Sequence, residues 1–505
     1  MKSTLENQSD FDLLIVSDLH LSEGRNKQDG KFSPNEDFLY DEEFDRFLRY
    51  HEKQAEALGK KWKLIINGDL IDYWQVITSC RDREIPAYID PAKLTPTEME
   101  FGPGSAPEKC VWKTNLLMDG HATFFQALGR FMSQGHQVII LKGNHDVELH
   151  WEEVQAQFRK RIPHSENLKF LPWFYYEEGL VYIEHGGQYE KENSIRYYLN
   201  PLLPPPLCPA SEKLLELPFS SFFVRYFFNR VEALHPFADN IKPTSQYIIW
   251  TLKNHFFESW KILKKYIPAI FRILKKSQKW PQPEEKKLQV QHDQELKDLE
   301  KKLNLEGKLE KIDSLKELPV TTSKFKFLKE MLKGPATIMS LALFIGLLVL
   351  YGLIYITTYL SQAPISLSLK SLYLTLFVLV ILIGGGLLVV CSQSSLGKQL
   401  QEGTREILRQ KARAVSQILN VKYIIFGHSH DADILRLSDN CLYLNSGTWV
   451  PVYSGYYQML WEDKQFTFVQ ISNGRARLLR WDDKRGAVGE VKLIDNHHQE
   501  GSSVT

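Results

Sequence analysis

Five short apolar runs in this chain each end in a tight polar loop that carries aspartate, asparagine or histidine. The runs start at residues 13, 64, 138, 180 and 423, and their loops span residues 17–20, 67–72, 143–146, 184–187 and 427–430. Apolar runs of this length, closed by glycine and polar residues, predict buried strands. The five loops can converge only where the strands lie side by side in one core. The pattern therefore predicts one domain with its chemistry at the strand ends.

The loops carry residue types that bind metal ions. In Asp18-Leu19-His20 and His428-Ser429-His430, two candidate ligands lie two residues apart, and side chains of an extended chain alternate with period two. Both members of each pair therefore face the same side. The full candidate ligand set is Asp18, His20, Asp69, Asn144, His185, His428 and His430. Carboxylate, amide and imidazole ligands without cysteine suit two divalent first-row ions, manganese first, with iron or zinc as alternatives.

His145 stands among these ligands and is not needed as one of them. Two ions about 3.5–4 Å apart, bridged by a carboxylate, can clamp a phosphate and support attack on phosphorus. His145 is then predicted to protonate the departing oxygen. Asp72 is predicted to orient either His145 or a ligating histidine through a hydrogen bond. His145 and Asp72 are the candidate catalytic residues.

A long insertion separates the fourth ligand loop from the fifth. Helical patterns alternate with the strands of residues 1–200, which predicts an α/β core whose second part occupies residues 393–495. The insertion begins with an aromatic-rich segment at 201–282, with helical stripes such as the one from Phe219 to Phe227. It is predicted to be a helical cap that buries its own stripes, rests on a membrane surface, or does both. A charged helical linker at 283–333 follows, and residues 496–505 are predicted to be a flexible tail.

Two uncharged segments predict a transmembrane hairpin within residues 334–392. Residues 336–360 and 371–391 are each long enough for the ~20 apolar residues that span a bilayer. Two buried core helices are the alternative. Lysines and arginines flank the outer ends of the pair, whereas the connecting turn holds only Lys370. The positive-inside rule then predicts an inner-membrane protein that contacts the lipid bilayer and keeps its catalytic domain and both termini in the cytoplasm.

Composition narrows the remaining choices. The formal net charge of +1 gives no electrostatic argument for a nucleic-acid partner, and none is expected. Five cysteines without paired spacing argue against a disulfide framework. Three polar residues just past the fourth loop are candidates for substrate contact: Gln188, Asn193 and Arg196. Five other histidines lack partners at ligand spacing and are predicted to lie on the surface: His121, His136, His150, His164 and His292.

The ordered loops resemble the calcineurin-like metallophosphoesterases. That family's blocks, Asp-x-His, Gly-Asp-x-x-Asp, Gly-Asn-His-Asp, a lone His and Gly-His-x-His, appear in order over residues 12–188 and 421–450. The resemblance implies a four-layer α/β/β/α sandwich with the site between the sheets. It also implies Asp18, His20 and His430 on one metal ion, with Asn144, His185 and His428 on the other and Asp69 between them.

Residues 18–22 and 68–74 look like the UDP-2,3-diacylglucosamine pyrophosphatase branch of that family. The resemblance implies cleavage of a nucleotide-sugar-lipid diphosphate beneath a cap that holds acyl chains. The expected function is therefore a membrane-anchored, dinuclear-metal phosphoesterase that acts on a phosphorylated lipid or a nucleotide-type substrate. The alternatives are a tethered phosphatase or phosphodiesterase for soluble nucleotides or phosphoproteins, and a scaffold without activity, which would have no need of a general acid.

Overall fold

The computed structural model of the 505-residue chain describes most of the predicted catalytic core and parts of the insertion. The described residues are 11–229 except 82, 206 and 209–211, then 241–242, 282–319, 354–355, 357–359, 366, 368–373, 375–376, 403–454 and 465–491. The predicted tail at 496–505 and residues 243–281 of the predicted cap lie outside the described residues.

A seven-stranded mixed sheet carries the first three ligand loops. Its parallel strands are β1 (Phe11–Val16), β2 (Lys61–Asn67), β3 (Gln137–Leu141) and β4 (Leu168–Leu171). Three antiparallel strands extend the sheet beyond β1: β12 (Thr467–Ser472), β13 (Arg475–Asp482) and β14 (Ala487–Glu490). The strand order is β14-β13-β12-β1-β2-β3-β4. Because β1, β2 and β3 are parallel, the loops at their carboxyl ends meet at one edge.

A five-stranded sheet carries the other two ligand loops. It contains β5 (Phe174–Glu177), β6 (Val181–Glu184), β8 (Tyr423–Phe426), β9 (Asp433–Ser438) and β10 (Cys441–Asn445), in the order β5-β6-β8-β10-β9. Ile183 of β6 pairs in parallel with Ile425 of β8. The fourth and fifth loops therefore leave the sheet side by side, although the insertion separates them in sequence. A short pair, β7 (Ile241–Lys242) with β11 (Tyr453–Ser454), completes the strands.

The described helices lie on the outer faces of the two sheets and in the loops. They are α1 (Asp41–Leu58), α2 (Pro96–Phe101), α3 (Pro107–Gly120), α4 (Ala122–Ser133), α5 (Glu152–Arg161), α6 (Phe219–Phe223), α7 (Gln282–Leu303), α8 (Leu309–Asp313) and α9 (403–418). Short 3-10 helices span Pro91–Lys93, Val147–His150, Ser165–Asn167 and Gly187–Tyr189.

Alternation of side chains along the strands explains the layers. Leu13 and Ile15 of β1 enter the core between the sheets, where they join Ile183 and Ile425. Leu14 and Val16 point the other way and belong to the cluster that includes Phe44 of α1 and Phe124 of α4. On the far side of the second sheet, Leu408 and Val415 of α9 pack with Phe426. The layers run helix, sheet, sheet, helix, which is consistent with a metallophosphoesterase fold.

The charged segment after residue 282 packs on the catalytic core. Leu296 of α7 and Ile312 of α8 are 4% and 1% exposed, and both belong to the main apolar cluster. Arg196 of the core donates a 2.6 Å hydrogen bond to Glu285 of α7. The sparse leucines of this segment therefore form a buried face, and most of its lysines and glutamates are at least partly exposed. Glu300 is the buried exception, and it accepts hydrogen bonds from the backbone N–H groups of Leu309 and Glu310.

The described part of the predicted cap is also packed against the core. Helix α6 continues as a π-helix over Val224–Phe228. Phe219 and Val224 are buried. The guanidinium of Arg225 donates hydrogen bonds to the carbonyl oxygens of Phe101 and Gly102, at 3.2 and 2.5 Å. This end of the aromatic stripe therefore rests on the loop region that follows the second ligand loop.

The predicted fold class is wrong in its transmembrane part. Across the described stretches of the chain, no helix is long and apolar enough to cross a membrane. Most of the two expected spans, 336–360 and 371–391, lies outside the described residues. The prediction rested on the length, adjacency and apolar composition of two uncharged segments. A span also needs a continuous helix of ~20 residues that satisfies its own backbone hydrogen bonds.

Candidate dinuclear metal site

The five polar loops meet between the carboxyl edges of the two sheets. Asp18, His20 and His430 form one group whose ligand atoms lie within 4.8 Å of one another, and Asp69, His185 and His428 form a second. His20, Asp69 and His145 meet the same criterion as a third, overlapping group. The remaining candidate, Asn144, places Oδ1 3.0 Å from Nε2 of His185. The structure thus brings all seven candidate ligands together.

Five of these residues have a strained backbone. The φ angles are 54° at Asp18, 52° at His20, 48° at Asp69, 69° at His428 and 56° at His430. Non-glycine residues seldom adopt positive φ, and each such residue costs of order 1–3 kcal/mol. This strain persists because the surrounding loops impose it, and it occurs at residues of both donor groups.

Two glycines allow the backbone to approach the ligands closely. A Cβ atom at Gly143 would lie 2.1 Å from Oδ1 of Asp69, and one at Gly187 would lie 2.5 Å from Oδ1 of Asn144. Neither distance is possible for a real side chain. The loops therefore require glycine at both positions because the ligand oxygens occupy the space.

One oxygen of Asp18 is left without a hydrogen bond. Oδ2 accepts from the backbone N–H of His428 at 3.0 Å. Oδ1 is buried and has no hydrogen-bond partner among the described residues, although Nε2 of His430 lies 3.4 Å away. A buried carboxylate oxygen without a partner is unfavourable by several kcal/mol in an apolar setting. A cation bound between Oδ1 and the facing imidazoles of His20 and His430 would satisfy it.

Asp69 lies between the two donor groups. Its Oδ2 is 3.0 Å from Nε2 of His185 and 3.9 Å from Nε2 of His20. Its Oδ1 accepts from the backbone N–H of His145 at 2.8 Å, which fixes the carboxylate plane. Burial alone would raise the pKa of Asp69, but the charges of His185 and His145 hold that pKa well below its usual value. The group is therefore an ionised carboxylate that can face two cations.

The spacing of the donor atoms fits six-coordinate ions. Nε2 of His185 lies 3.0 Å from both Oδ2 of Asp69 and Oδ1 of Asn144. Nε2 of His20 lies 3.1 Å from Nε2 of His430. Ligand atoms about 2.1 Å from one octahedral ion and at right angles are separated by about 3.0 Å. Burial also lowers the pKa of His20, which favours the neutral imidazole that a metal ion binds.

His145 and Asp72 form a separate pair beside the ligands. Nδ1 of His145 lies 2.7 Å from Oδ2 of Asp72, and the backbone N–H of Trp74 donates to Oδ1 of Asp72 at 3.0 Å. The side chain of Asp72 is 1% exposed, whereas that of His145 is 17% exposed. The structure thus places Asp72 on His145 and not on a ligating histidine. A buried carboxylate that holds Nδ1 fixes the ring and directs Nε2 elsewhere.

The candidates for substrate contact serve different purposes in the structure. Asn193 contacts two candidate ligands, because its amide lies 3.4 Å from Nδ2 of Asn144 and 3.3 Å from Nε2 of His428. The side-chain oxygen of Gln188 accepts from the backbone N–H of Ile195 at 3.1 Å. Arg196 pairs with Glu285. Only Asn193 therefore touches the candidate metal site through the contacts described.

Sequence reasoning missed Glu190. Its Oε2 lies 2.9 Å from Nε2 of His428, which belongs to the second donor group. Burial would raise the pKa of Glu190, but the hydrogen bond from His428 lowers it to about 2. Glu190 belongs to none of the five strand-end loops, so their pattern does not mark it. The available signal was a carboxylate five residues after His185 and three before Asn193.

Three histidines predicted on the surface are buried. His121, His136 and His292 are 0%, 1% and 2% exposed, so the prediction was wrong for them, whereas His164 is exposed. His121 lies 3.1 Å from carboxylate oxygens of both Glu36 and Asp41. Those partners are about 80 positions away in sequence, so spacing could not reveal them.

Comparison with known proteins identifies the family of the first part of the chain. Residues 11–217 match the family described as Calcineurin-like phosphoesterase. The match contains the first four ligand loops. No curated protein and no solved structure matches the chain, so the resemblance to the UDP-2,3-diacylglucosamine pyrophosphatase branch has no support from these comparisons. Members of the matched family bind divalent metal ions, and the two donor groups can hold them. Residues 11–217 carry a calcineurin-like phosphoesterase domain, and the chain is a metal-dependent phosphoric ester hydrolase.

Proposed function

We propose that this hydrolase holds two divalent ions and cleaves a phosphoester or diphosphate bond with His145 as general acid. The observation that carries the proposal is the 2.7 Å contact between His145 and Asp72, next to two groups of ligand atoms. A substrate with a good leaving group can be hydrolysed without a general acid. A substrate that loses an alkoxide or a phosphate needs one, because the departing oxygen must be protonated as the bond breaks.

The candidate ligands divide between the two ions as follows. The first ion would be held by Asp18, His20 and His430, the second by Asn144, His185 and His428, and both by Asp69. Two divalent ions bound there would neutralise the phosphate oxygens and lower the pKa of the attacking water. The donor set combines three oxygen ligands with four imidazoles and lacks cysteine, which suits a divalent first-row ion; we propose manganese first, with iron or zinc as the alternatives.

The side chains then have distinct tasks. Asp72 accepts from Nδ1 of His145 and stabilises the imidazolium form, in which Nε2 also carries a proton. Nε2 delivers that proton to the departing oxygen. The ring, now neutral, keeps the proton on Nδ1, which stays hydrogen-bonded to Asp72. Asn193 holds the amide of Asn144 beside His428. The buried positions of Asp18 and Asp69 exclude bulk water from the donor atoms.

The proposed substrate is nucleotide-linked or lipid-linked. Support comes from the surroundings of the His145–Asp72 pair, where a large leaving group would lie. Trp74 follows Asp72 by two residues, and the guanidinium carbon of Arg225 lies 4.8 Å from its ring. Tyr226 and Phe101 pack with ring centroids 4.9 Å apart in the same region. Trp74 and Phe101 are buried, whereas Arg225 and Tyr226 are partly exposed. Arg225 and Tyr226 would therefore contact a leaving group that carries a base or an apolar chain together with negative charge.

The test compares wild-type protein with His145→Ala, both loaded with manganese, on two esters. The first has an alkyl leaving group, and the second has p-nitrophenolate, which needs little protonation. We expect kcat for the alkyl ester to fall by about 10²–10⁴-fold and the loss for the p-nitrophenyl ester to be much smaller. Equal losses on both esters would show that His145 acts in binding and not as the acid.

A parallel screen addresses the substrate. Manganese-loaded wild-type protein is offered nucleotide-sugar lipids, phosphatidyl phosphates, nucleotides, soluble diesters and phosphopeptides. Preferred turnover of a nucleotide-linked or lipid-linked compound supports the proposal. Preferred turnover of phosphopeptides, with the others inert, contradicts the proposed substrate class and leaves the metal chemistry intact.

A further inference from the structure

The loop that carries His428 and His430 is strained, and the chain on either side of it must hold that strain. The φ angles are 69° at His428 and 56° at His430. A non-glycine residue keeps a positive φ only where the surrounding structure over-determines it. His430 belongs to the first donor group and His428 to the second. A loop that relaxed to ordinary φ angles would therefore displace a candidate ligand of each group.

The two sheets anchor the beginning of this loop. The backbone N–H of Gly427 donates to the carbonyl oxygen of His185 at 3.0 Å. The side-chain amide of Asn445 donates to the carbonyl oxygen of Gly427 at 2.7 Å. Strand β8, which ends at Phe426, pairs in parallel with both β6 and β10. These contacts fix the chain as it enters the loop.

Two arginines of α9 anchor the end of the loop through Asp433. Asp433 lies three residues after His430, begins β9 and has a side chain that is 1% exposed. Arg409 donates to its Oδ2 and Oδ1 at 2.7 and 2.9 Å, and Arg405 donates to its Oδ1 at 2.5 Å. Nη1 of Arg405 also lies 3.7 Å from Oδ2 of Asp431. We call Arg405, Arg409 and Asp433 the arginine clamp.

The carboxylate of the arginine clamp is buried and ionised. Burial would raise the pKa of Asp433, but the hydrogen bonds from Arg409 and Arg405 hold that pKa below its usual value. Exposed ion pairs contribute little to stability, whereas a buried carboxylate that loses its partners is strongly unfavourable. The clamp can therefore hold the loop in a conformation that the loop alone would leave.

Helix α9 contacts the fourth ligand loop as well as the fifth. Its residue Leu408 lies between the two arginines in sequence and packs on Gly186, which directly follows His185. A Cβ atom at Gly186 would lie 3.2 Å from Cδ2 of Leu408 and 3.8 Å from Cβ of His428. The helix, the turn after His185 and the loop of His428 are thus in direct contact.

We propose that the arginine clamp positions His428 and His430 for the two metal ions, an inference that rests on the two-ion site of the proposed function. Arg405, Arg409 and Asp433 are positioning residues, because they act through the loop and not on the substrate. Coupling between two binding events is reciprocal. If docked α9 favours metal binding, bound metal must stabilise docked α9 by the same factor.

The first experiment measures manganese binding by equilibrium dialysis with elemental analysis. Wild type is compared with Asp433→Asn and Arg409→Met, and circular dichroism checks that each variant is folded. We expect wild type to bind two ions and both variants to bind both ions about 10-fold more weakly. Both ions should weaken because the loop carries one candidate ligand for each. Arg409→Lys keeps the charge with fewer donors, so it should weaken the ions less than Arg409→Met does.

Arg130→Met is the matched control. The side chain of Arg130 is 25% exposed, as is that of Arg409. Arg130 of α4 also joins a helix to carboxylates, because it binds Asp45 and Glu52 of α1. None of these three control residues lies in a ligand loop. We expect Arg130→Met to lower the free energy of unfolding and to leave the affinity of both ions unchanged.

Hydrogen exchange separates positioning of the ligands from general support of the fold. Manganese should slow exchange of the backbone N–H groups of α9 in wild type and in Arg130→Met. In Asp433→Asn the same addition of manganese should leave exchange in α9 unchanged, because the helix and the loop are no longer joined. A clamp that only stabilised the fold would leave the effect of manganese on α9 intact.

Three results would overturn the inference. They are unchanged affinity of both ions in folded Asp433→Asn, loss of one ion alone, and an equal loss of affinity in Arg130→Met. If Asp433→Asn does not fold, Arg409→Met and Arg409→Lys decide the question by the same criteria. Wild type that binds one ion or none would instead overturn the two-ion site itself, and with it the proposed function.

Discussion

The metal site and the His121 cluster both bury histidine beside carboxylates, but they satisfy their polar atoms differently. In the His121 cluster, formed by Glu36, Asp41 and His121, both ring nitrogens lie 3.1 Å from a carboxylate oxygen. Glu36 also accepts from the backbone N–H groups of Gly24 and Phe38, at 2.6 and 3.0 Å. At the metal site, Oδ1 of Asp18 has no such partner among the described residues.

The backbone conformation also distinguishes the two clusters. His121 has an ordinary φ of −112°, whereas five of the candidate ligands have positive φ. Burial would lower the pKa of His121, but Glu36 and Asp41 raise it to about 10. A perturbed pKa and deep burial are therefore common to both clusters. An unpartnered oxygen and a strained backbone belong to the metal site, and these are the features that indicate a ligand.

The most disruptive change to the metal site is Asp69→Asn. The amide keeps an oxygen for the backbone N–H of His145 but loses the charge that faces both donor groups. We expect hydrolysis of a p-nitrophenyl ester to fall to background and bound manganese to drop to one ion or fewer per chain. Elemental analysis of the purified variant measures the metal. Two ions retained in an inactive variant would contradict the bridging role.

The matching change to the structural cluster is His121→Ala. It leaves Glu36 and Asp41 buried without their cation, and removal of one partner from a buried ion pair costs about 3–5 kcal/mol. We expect the free energy of unfolding to fall by about that amount in urea titrations, with manganese content unchanged. His164→Asn is the control, because His164 is exposed and asparagine tolerates its positive φ.

For that control we expect a change within about 0.5 kcal/mol. A loss below about 1 kcal/mol for His121→Ala would mean that the His121 cluster contributes little to stability. Loss of manganese together with stability would mean that the two clusters are coupled, through the loop that joins His20 to Glu36.

Manganese binding should change the free energy of unfolding by a smaller amount than His121→Ala does, and only where the metal site is intact. A ligand that binds only the folded state stabilises it by about 2.7 kcal/mol at a free concentration of 100 times Kd. Wild type and His121→Ala should both gain this free energy of unfolding when manganese is added, and both should lose it when a chelator is added. Asp69→Asn should gain much less. The gain is read from thermal unfolding at fixed free manganese, and equal gains in all three proteins would place the bound ions elsewhere.

Much of the site could be predicted because its signals are local. Each ligand loop follows its own strand by a few residues, so an apolar run followed directly by metal-binding residue types suffices to find Asp18 or His428. The period-two argument itself does not hold in the loops, because both residues have positive φ. Parallel strands then bring the ends together at one edge. That the strands before the fourth and fifth loops share one core, despite the insertion, could be inferred only because both loops carry ligands of the same type.

What escaped prediction depends on contacts between distant residues. His121 contacts Glu36 and Asp41 because α1 packs against α4. The positions of these residues in the sequence do not indicate that contact. The leucines of α7 are too sparse to distinguish a solvated helix from one packed on the core. The membrane hairpin was inferred from the length, adjacency and apolar composition of two segments, which do not establish the continuous helix that a span requires. Glu190 needed the folded turn after β6 to reach His428.

The pH dependence of stability gives the smallest and most specific difference between the clusters. The folded pKa of His121, about 10, exceeds the ordinary value of about 6.5 in an unfolded chain. Between these values the folded state binds a proton that the unfolded state does not, so stability declines as pH rises. The contribution is fully present below about pH 6.5 and is lost as pH passes through about 10, with a slope of at most about 1.4 kcal/mol per pH unit. Urea titrations of wild type and His121→Ala at pH 7 and pH 8, with chelator present, should show the wild-type advantage shrinking by up to that amount. An advantage that stays constant would show that His121 is neutral in the folded protein and that its two carboxylates hold it by hydrogen bonds alone.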